Sequence, residues 1–104
     1  NLKTDFKWVA SGQRFETKFL KLFVKPGENQ TARVGIAGSS KTFKKATERN
    51  RARRLASFAF ESLYNRLPKS SNIVALPKAG IISVKSSDVL LDVEAVLKNA
   101  KIIN

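Results

Sequence analysis

The chain has 104 residues, with 20 Lys or Arg against 8 Asp or Glu, a net charge of +12, and neither Cys nor His. Lacking those two residue types it can build no disulfide framework, zinc finger or zinc ribbon, and it has no imidazole for acid–base work. A hydrophobic content of 42% suffices for one small core, so a single domain spanning 1–104 is expected, and the excess of base is the footprint of a nucleic-acid-binding domain.

Residues 2–10 (LKTDFKWVA) place Leu2, Phe6, Val9 and Ala10 at helical intervals, with Ser11-Gly12 as a stop, and predict a short helix. Residues 15–24 alternate as one strand. Leu20, Leu22 and Val24 fall on one face, and Phe15, Phe19, Lys21, Phe23 and Lys25 on the other. Pro26-Gly27-Glu28-Asn29 is a turn, after which residues 32–39 (ARVGIAGS) read as the return strand of a hairpin. Val34 and Ile36 take its core face, and the opposite face carries only the small Gly35, Ala37 and Ser39.

A long helix is predicted over roughly 46–67, stopped by Pro68. Ala52, Leu55, Ala56, Ala59 and Leu63 form its apolar stripe, and Phe58, Phe60 and Tyr64 are expected to widen the buried surface. Residues 73–76 (IVAL) read as a central strand, and 88–98 as a last helix capped by Ser86 or Ser87, with Val89, Val93, Val96, Leu97 and Ala100 in its stripe. The order helix, strand, strand, long helix, strand, helix is an α+β arrangement around one sheet. No apolar run is long enough to span a membrane or resembles a signal peptide, so a cytoplasmic location is expected.

Residues 41–54 (KTFKKATERNRARR) concentrate Lys41, Lys44, Lys45, Arg49, Arg51, Arg53 and Arg54 around one acid, Glu48, which leaves +6, half of the net charge. So dense a block repels itself unless a polyanion neutralises it, and the guanidinium fork matches phosphate oxygens. The face carrying Phe15, Phe19, Lys21, Phe23 and Lys25 interleaves rings with cations, the combination that grips single-stranded nucleic acid without demanding a sequence. Phe19 and Phe23 also admit a plainer role, packing beneath the first helix against Phe6 and Trp8.

Val34-Gly35-Ile36, a Ser/Lys-rich turn, then Arg49-Asn50-Arg51 with the basic pair Arg53-Arg54 and Leu55 opening a long helix, resembles the protein subunit of bacterial ribonuclease P. Phe6 in the first helix, Gly12 before the first strand and Ile73-Val74-Ala75-Leu76 followed at the next position but one by Lys78 keep the same register over nearly the whole chain. Three features depart from the family pattern: Ser57-Phe58 replaces an Arg-Glu pair, Ala10 replaces an aromatic, and the turn over 39–45 is one residue longer without Gly-Asn.

The resemblance implies a four-stranded sheet with a left-handed βαβ crossover, a ribosomal-protein-like α-β sandwich. It implies that an RNA subunit performs hydrolysis with bound Mg2+, and that the protein binds that RNA and the 5′ leader of precursor tRNA. On this reading Lys41, Lys44, Lys45, Arg49, Asn50, Arg51, Arg53 and Arg54 hold the catalytic RNA, and Phe6, Phe19, Lys21, Phe23 and Lys78 hold the leader. Asn50 and Lys78 owe their place to the resemblance alone. No protein catalytic residue is expected, since the eight acids are scattered and metal-assisted phosphodiester cleavage needs clustered carboxylates. Neither DNA nor a membrane is an expected partner. The alternative is a ribosomal or general RNA-binding protein without a processing role.

Overall fold

The computed structural model describes residues 2–104, with side chains from residue 6 onward, so the Leu2 side chain of the first predicted stripe lies outside the described residues. The elements are α1 (Leu2–Ala10), β1 (Gln13–Glu16), β2 (Leu20–Pro26), β3 (Arg33–Ile36), α2 (Ala46–Leu63), β4 (Ser71–Pro77) and α3 (Ser86–Asn99), with 3-10 turns at Tyr64–Arg66 and Ala79–Ser83. They form one four-stranded mixed sheet in the order β1-β2-β4-β3. Helices α2 and α3 pack together on one face, and α1 lies across β2 and β4 on the other.

The predicted single strand over 15–24 is in fact two. Thr17 breaks it: its buried hydroxyl accepts the N–H groups of Phe19 (3.2 Å) and Leu20 (2.9 Å), which turns the chain without Gly or Pro. Asp92 on α3 accepts the N–H of Lys18 and of Phe19 at 3.0 Å each and fixes that turn to the helix layer. One consequence is that Phe15 pairs with Leu22, which places it on the core face, because directly opposed residues in an antiparallel pair share a face. Phe15 and Phe19 both pack against the core.

The predicted hairpin return is also corrected. β3 runs parallel to β4, with Val34 opposite Ile73 and Ile36 opposite Ala75, and β4 lies between it and β2. The connection β3–α2–β4 is therefore a βαβ crossover. Alternation assigned the faces of β3 correctly, but which strand it pairs with depends on where α2 returns the chain. The central position of β4 follows from its near-continuous burial.

Leu20, Leu22 and Val24 from β2, Ile73 and Ala75 from β4, the α2 stripe, and Val89, Val93 and Leu97 from α3 make the core. In α2 the helical part stops at Leu63, and of the three aromatics only Phe60 is buried; Phe58 and Tyr64 are 43% and 40% exposed. At 100° per residue Phe58 and Phe60 sit on opposite flanks of Ala59, and Phe60 is on the flank that faces Val34 and Ile36 of β3. Tyr64 lies farther round, and its hydroxyl donates to Ala32 O at 2.7 Å. The cap of α3 is not a serine: the Asp88 carboxylate reaches back to accept the N–H of Lys85 at 3.0 Å. Phe43, inside the basic segment, is only 1% exposed and is the largest fully buried side chain. Gly12 is required by close approach, since a Cβ there would lie 2.4 Å from Val24 O.

Candidate RNA interface

The basic segment folds as a loop over 39–45 followed by the first turns of α2. Taking the buried Ala59 and Ala52 as the inward direction, Asn50 and Arg54 point directly outward, Arg49 and Arg53 lie on one flank, and Arg51 lies on the other. Lys41, Lys44, Lys45, Asn50, Arg51, Arg53 and Arg54 are exposed, and Arg49 is half-buried. All eight residues predicted for the catalytic RNA thus fall on one loop-and-helix surface. Two of them are already committed to the protein. The Arg49 Nη1 donates to Phe43 O (2.7 Å) and Lys44 O (3.3 Å), and Arg51 donates from Nε to Ile82 O (3.0 Å) and from Nη2 to Val84 O (3.1 Å).

A second surface lies on the opposite side of the sheet. Between α1 and β3 a groove of about 140 Å3 is walled by Phe6 and Trp8 on one side and residues 33–37 on the other, with Asn72 and Val74 of β4 as its floor. Trp8 is 42% exposed, with the Lys25 ammonium 4.8 Å from its ring centroid. Lys25 also donates to Ser11 Oγ at 2.6 Å, and that hydroxyl donates to Trp8 O at 2.6 Å, so the tryptophan, the lysine and the helix end hold one another. A Cβ on Gly35 would meet nothing within 4 Å. Its backbone does not take positive φ, so neither conformation nor internal packing calls for glycine at this strand position. What it leaves is space, as where a ligand approaches a strand closely.

The structure divides the five residues predicted for the leader. Phe6 lines the groove. Phe23 and Lys21 share the groove's face of the sheet, opposite Val74 and Leu76, but stand one strand away on β2. Phe19 sits in the β1–β2 turn and packs on the core instead. Lys78, past the end of β4, donates to Thr17 O at 2.8 Å and pairs with Glu16 at 3.2 Å, which ties that same turn from a second direction. Trp8 and Asn72 are groove residues that periodicity missed, whereas Gly35 falls on the small-residue face that alternation marked. An aromatic off the apolar stripe of a short helix was the available signal for Trp8.

The hydrogen bond and charge of Lys78 hold the Glu16 carboxyl below its ordinary value. Because the folded-state value is depressed, the contribution of the pair is complete at neutral pH and is lost as pH falls through that lowered value. Glu16 is exposed, so the effect is small. Glu16→Gln is expected to flatten slightly the acid limb of the melting temperature against pH and to leave the neutral region almost unchanged. Superimposable acid limbs for the two proteins would show that the pair carries nothing.

The sequence model of the family described as Ribonuclease P matches residues 2–101. The Ribonuclease P protein component of Acinetobacter baylyi is 36% identical over 87 residues, 81% of this chain and 65% of that protein, so the chain spans just under two thirds of that relative's length. The RNase P protein of Thermotoga maritima superposes with a TM-score of 0.82 at 23% identity, over 95% of this chain and 94% of its own. That of Staphylococcus aureus gives 0.81 at 21% identity, over 97% and 93%. At these identities the two structures establish a shared fold.

Proposed function

Because this chain belongs to the ribonuclease P protein family, we propose that it is the protein component of a ribonuclease P, which binds the catalytic RNA and the 5′ leader of precursor tRNA and so promotes tRNA 5′-end maturation. The observation that carries this reading is the placement of two chemically different surfaces on opposite faces of one sheet. On the helix side, exposed Lys41, Lys44, Lys45, Arg53 and Arg54 present charge without rings, suited to the phosphates of a folded RNA. On the groove side, Phe6 and Trp8 face the unfilled space over Gly35, suited to a single strand whose unstacked bases find aromatic surfaces while Lys21, one strand away on the same face, can meet its phosphates.

The donor set supports a division of labour between protein and RNA. Among the described residues no three His, Cys, Asp or Glu side chains gather to hold a metal ion. The residues present therefore do not fit a magnesium site built by the protein, and the proposal leaves Mg2+ and hydrolysis to the RNA subunit. Among the described residues no helix is long and apolar enough to cross a membrane, and both proposed ligands are RNAs found in the cytoplasm of a bacterial cell.

Adding the purified chain to precursor tRNA together with a catalytic ribonuclease P RNA is expected to raise cleavage at the mature 5′ end, and the chain alone is expected to cleave nothing. Cleavage by the protein alone, or absence of stimulation with the RNA present, would overturn the assignment.

A further inference from the structure

Arg49 and Arg51 flank Asn50 in sequence, yet on the helix they point to opposite sides, each about 100° away from the outward direction. Both end on main-chain carbonyls. α2 begins at Ala46, and its N-cap residue Lys45 supplies no side-chain cap, so the bonds from Arg49 to the carbonyls of Phe43 and Lys44 tie the entering loop to the helix. On the other flank one edge of the Arg51 guanidinium spans two carbonyls, Ile82 O and Val84 O, in the chain leading to α3. Arg53 and Arg54, by contrast, have no such partner among the described residues.

We propose that Arg49 and Arg51 are positioning residues, which fasten the two loops beside the first turns of α2, and that direct contact with the catalytic RNA falls to Asn50, Arg53 and Arg54. The inference rests on the proposed function for the identity of the ligand, but the latch itself belongs to the free protein. A guanidinium held along one edge keeps its charge and adds to the field over the surface. Its larger contribution is geometric: loops fastened before binding need not be ordered during it, which removes a cost of association. Lysine cannot replace Arg51 here, since one ammonium on a flexible stem does not reproduce a planar fork reaching two carbonyls.

The first measurement uses the unmodified free protein: hydrogen exchange at arginine Nε–H by NMR. Arg51 is expected to exchange at least about tenfold more slowly than Arg53 and Arg54, because only its Nε–H is hydrogen-bonded; equal rates would overturn the latch. The second compares Arg51→Lys with Arg53→Ala in binding to the catalytic RNA across a salt series. Arg51→Lys should bind about tenfold more weakly with an unchanged salt slope and faster amide exchange over residues 82–85, because charge is kept and the fork is lost. Arg53→Ala should make the slope shallower by about one, the signature of a lost phosphate contact. Wild-type affinity for Arg51→Lys, with Arg53→Ala weakened, would overturn the positioning role. If Arg51→Lys does not fold, the Nε–H measurement on the unmodified protein decides. If every variant binds RNA like the wild type while the Arg51 Nε–H is protected, the RNA assignment of this surface fails and the latch stands.

Discussion

Trp8→Ala is expected to weaken binding of the holoenzyme to precursor tRNA carrying a long 5′ leader by about 1–3 kcal/mol, the loss of one stacking platform, roughly five- to 150-fold in Kd. The tryptophan is 42% exposed and outside the core cluster, so its removal leaves the central packing of the domain in place. What is lost internally is the Lys25 contact and the ring edge near Gly27. Mature tRNA, which has no leader, is the control and should bind as before. Trp8→Phe should restore most of the affinity, since a smaller ring still offers a face. Precursors with progressively trimmed leaders provide the measurement. A penalty that persists unchanged when the leader is gone would show that the groove does not hold it.

Phe43→Ala is expected to destabilise the fold by about 3–5 kcal/mol, the usual cost of emptying a fully buried phenylalanine site. In a domain of this size that corresponds to a fall in melting temperature on the order of 20 °C, and it is a large part of a total stability of about 5–15 kcal/mol. The reason lies in where the ring sits. Phe43 anchors the loop over 39–45 in the core: its N–H donates to Ser39 O at 2.9 Å, and its carbonyl accepts Arg49. The same residue that completes the core therefore sets the position of Lys41, Lys44 and Lys45 beside α2. Phe43→Leu should recover more than half of the loss, because most of the apolar volume is kept. Thermal unfolding followed by circular dichroism tests this, and a drop of less than about 5 °C for Phe43→Ala would show that the loop does not depend on the ring.

The sequence by itself determined the elements whose signals are local and repeated. The bounds of α1 followed from a 3.6-residue pattern closed by Ser11-Gly12. The α2 stripe over Ala52, Leu55, Ala56, Ala59 and Leu63 and the buried Val89, Val93 and Leu97 of α3 followed from the same period. Net charge and its concentration over 41–54 pointed to a nucleic acid, because electrostatics needs only composition and proximity along the chain. The assignment of Leu20, Leu22 and Val24 to the core face of β2 was likewise a matter of alternation.

Tertiary structure alone decided how those elements meet. The turn at residues 17–19 has no Gly or Pro; it exists because the Thr17 hydroxyl and, 75 positions later in the chain, the Asp92 carboxylate satisfy its N–H groups. Phe15 and Phe19 consequently leave the open face and join the core. β3 pairs in parallel with β4 and not with β2, a choice made by the return path of α2. The groove combines α1, β3 and β4, so Trp8, Gly35 and Asn72 become neighbours only in the folded sheet. The roles of Arg49 and Arg51 were hidden for the same reason. Periodicity shows that a side chain points away from its own helix's core, but a long side chain can still end on a carbonyl elsewhere in the fold, and no local pattern records its partner.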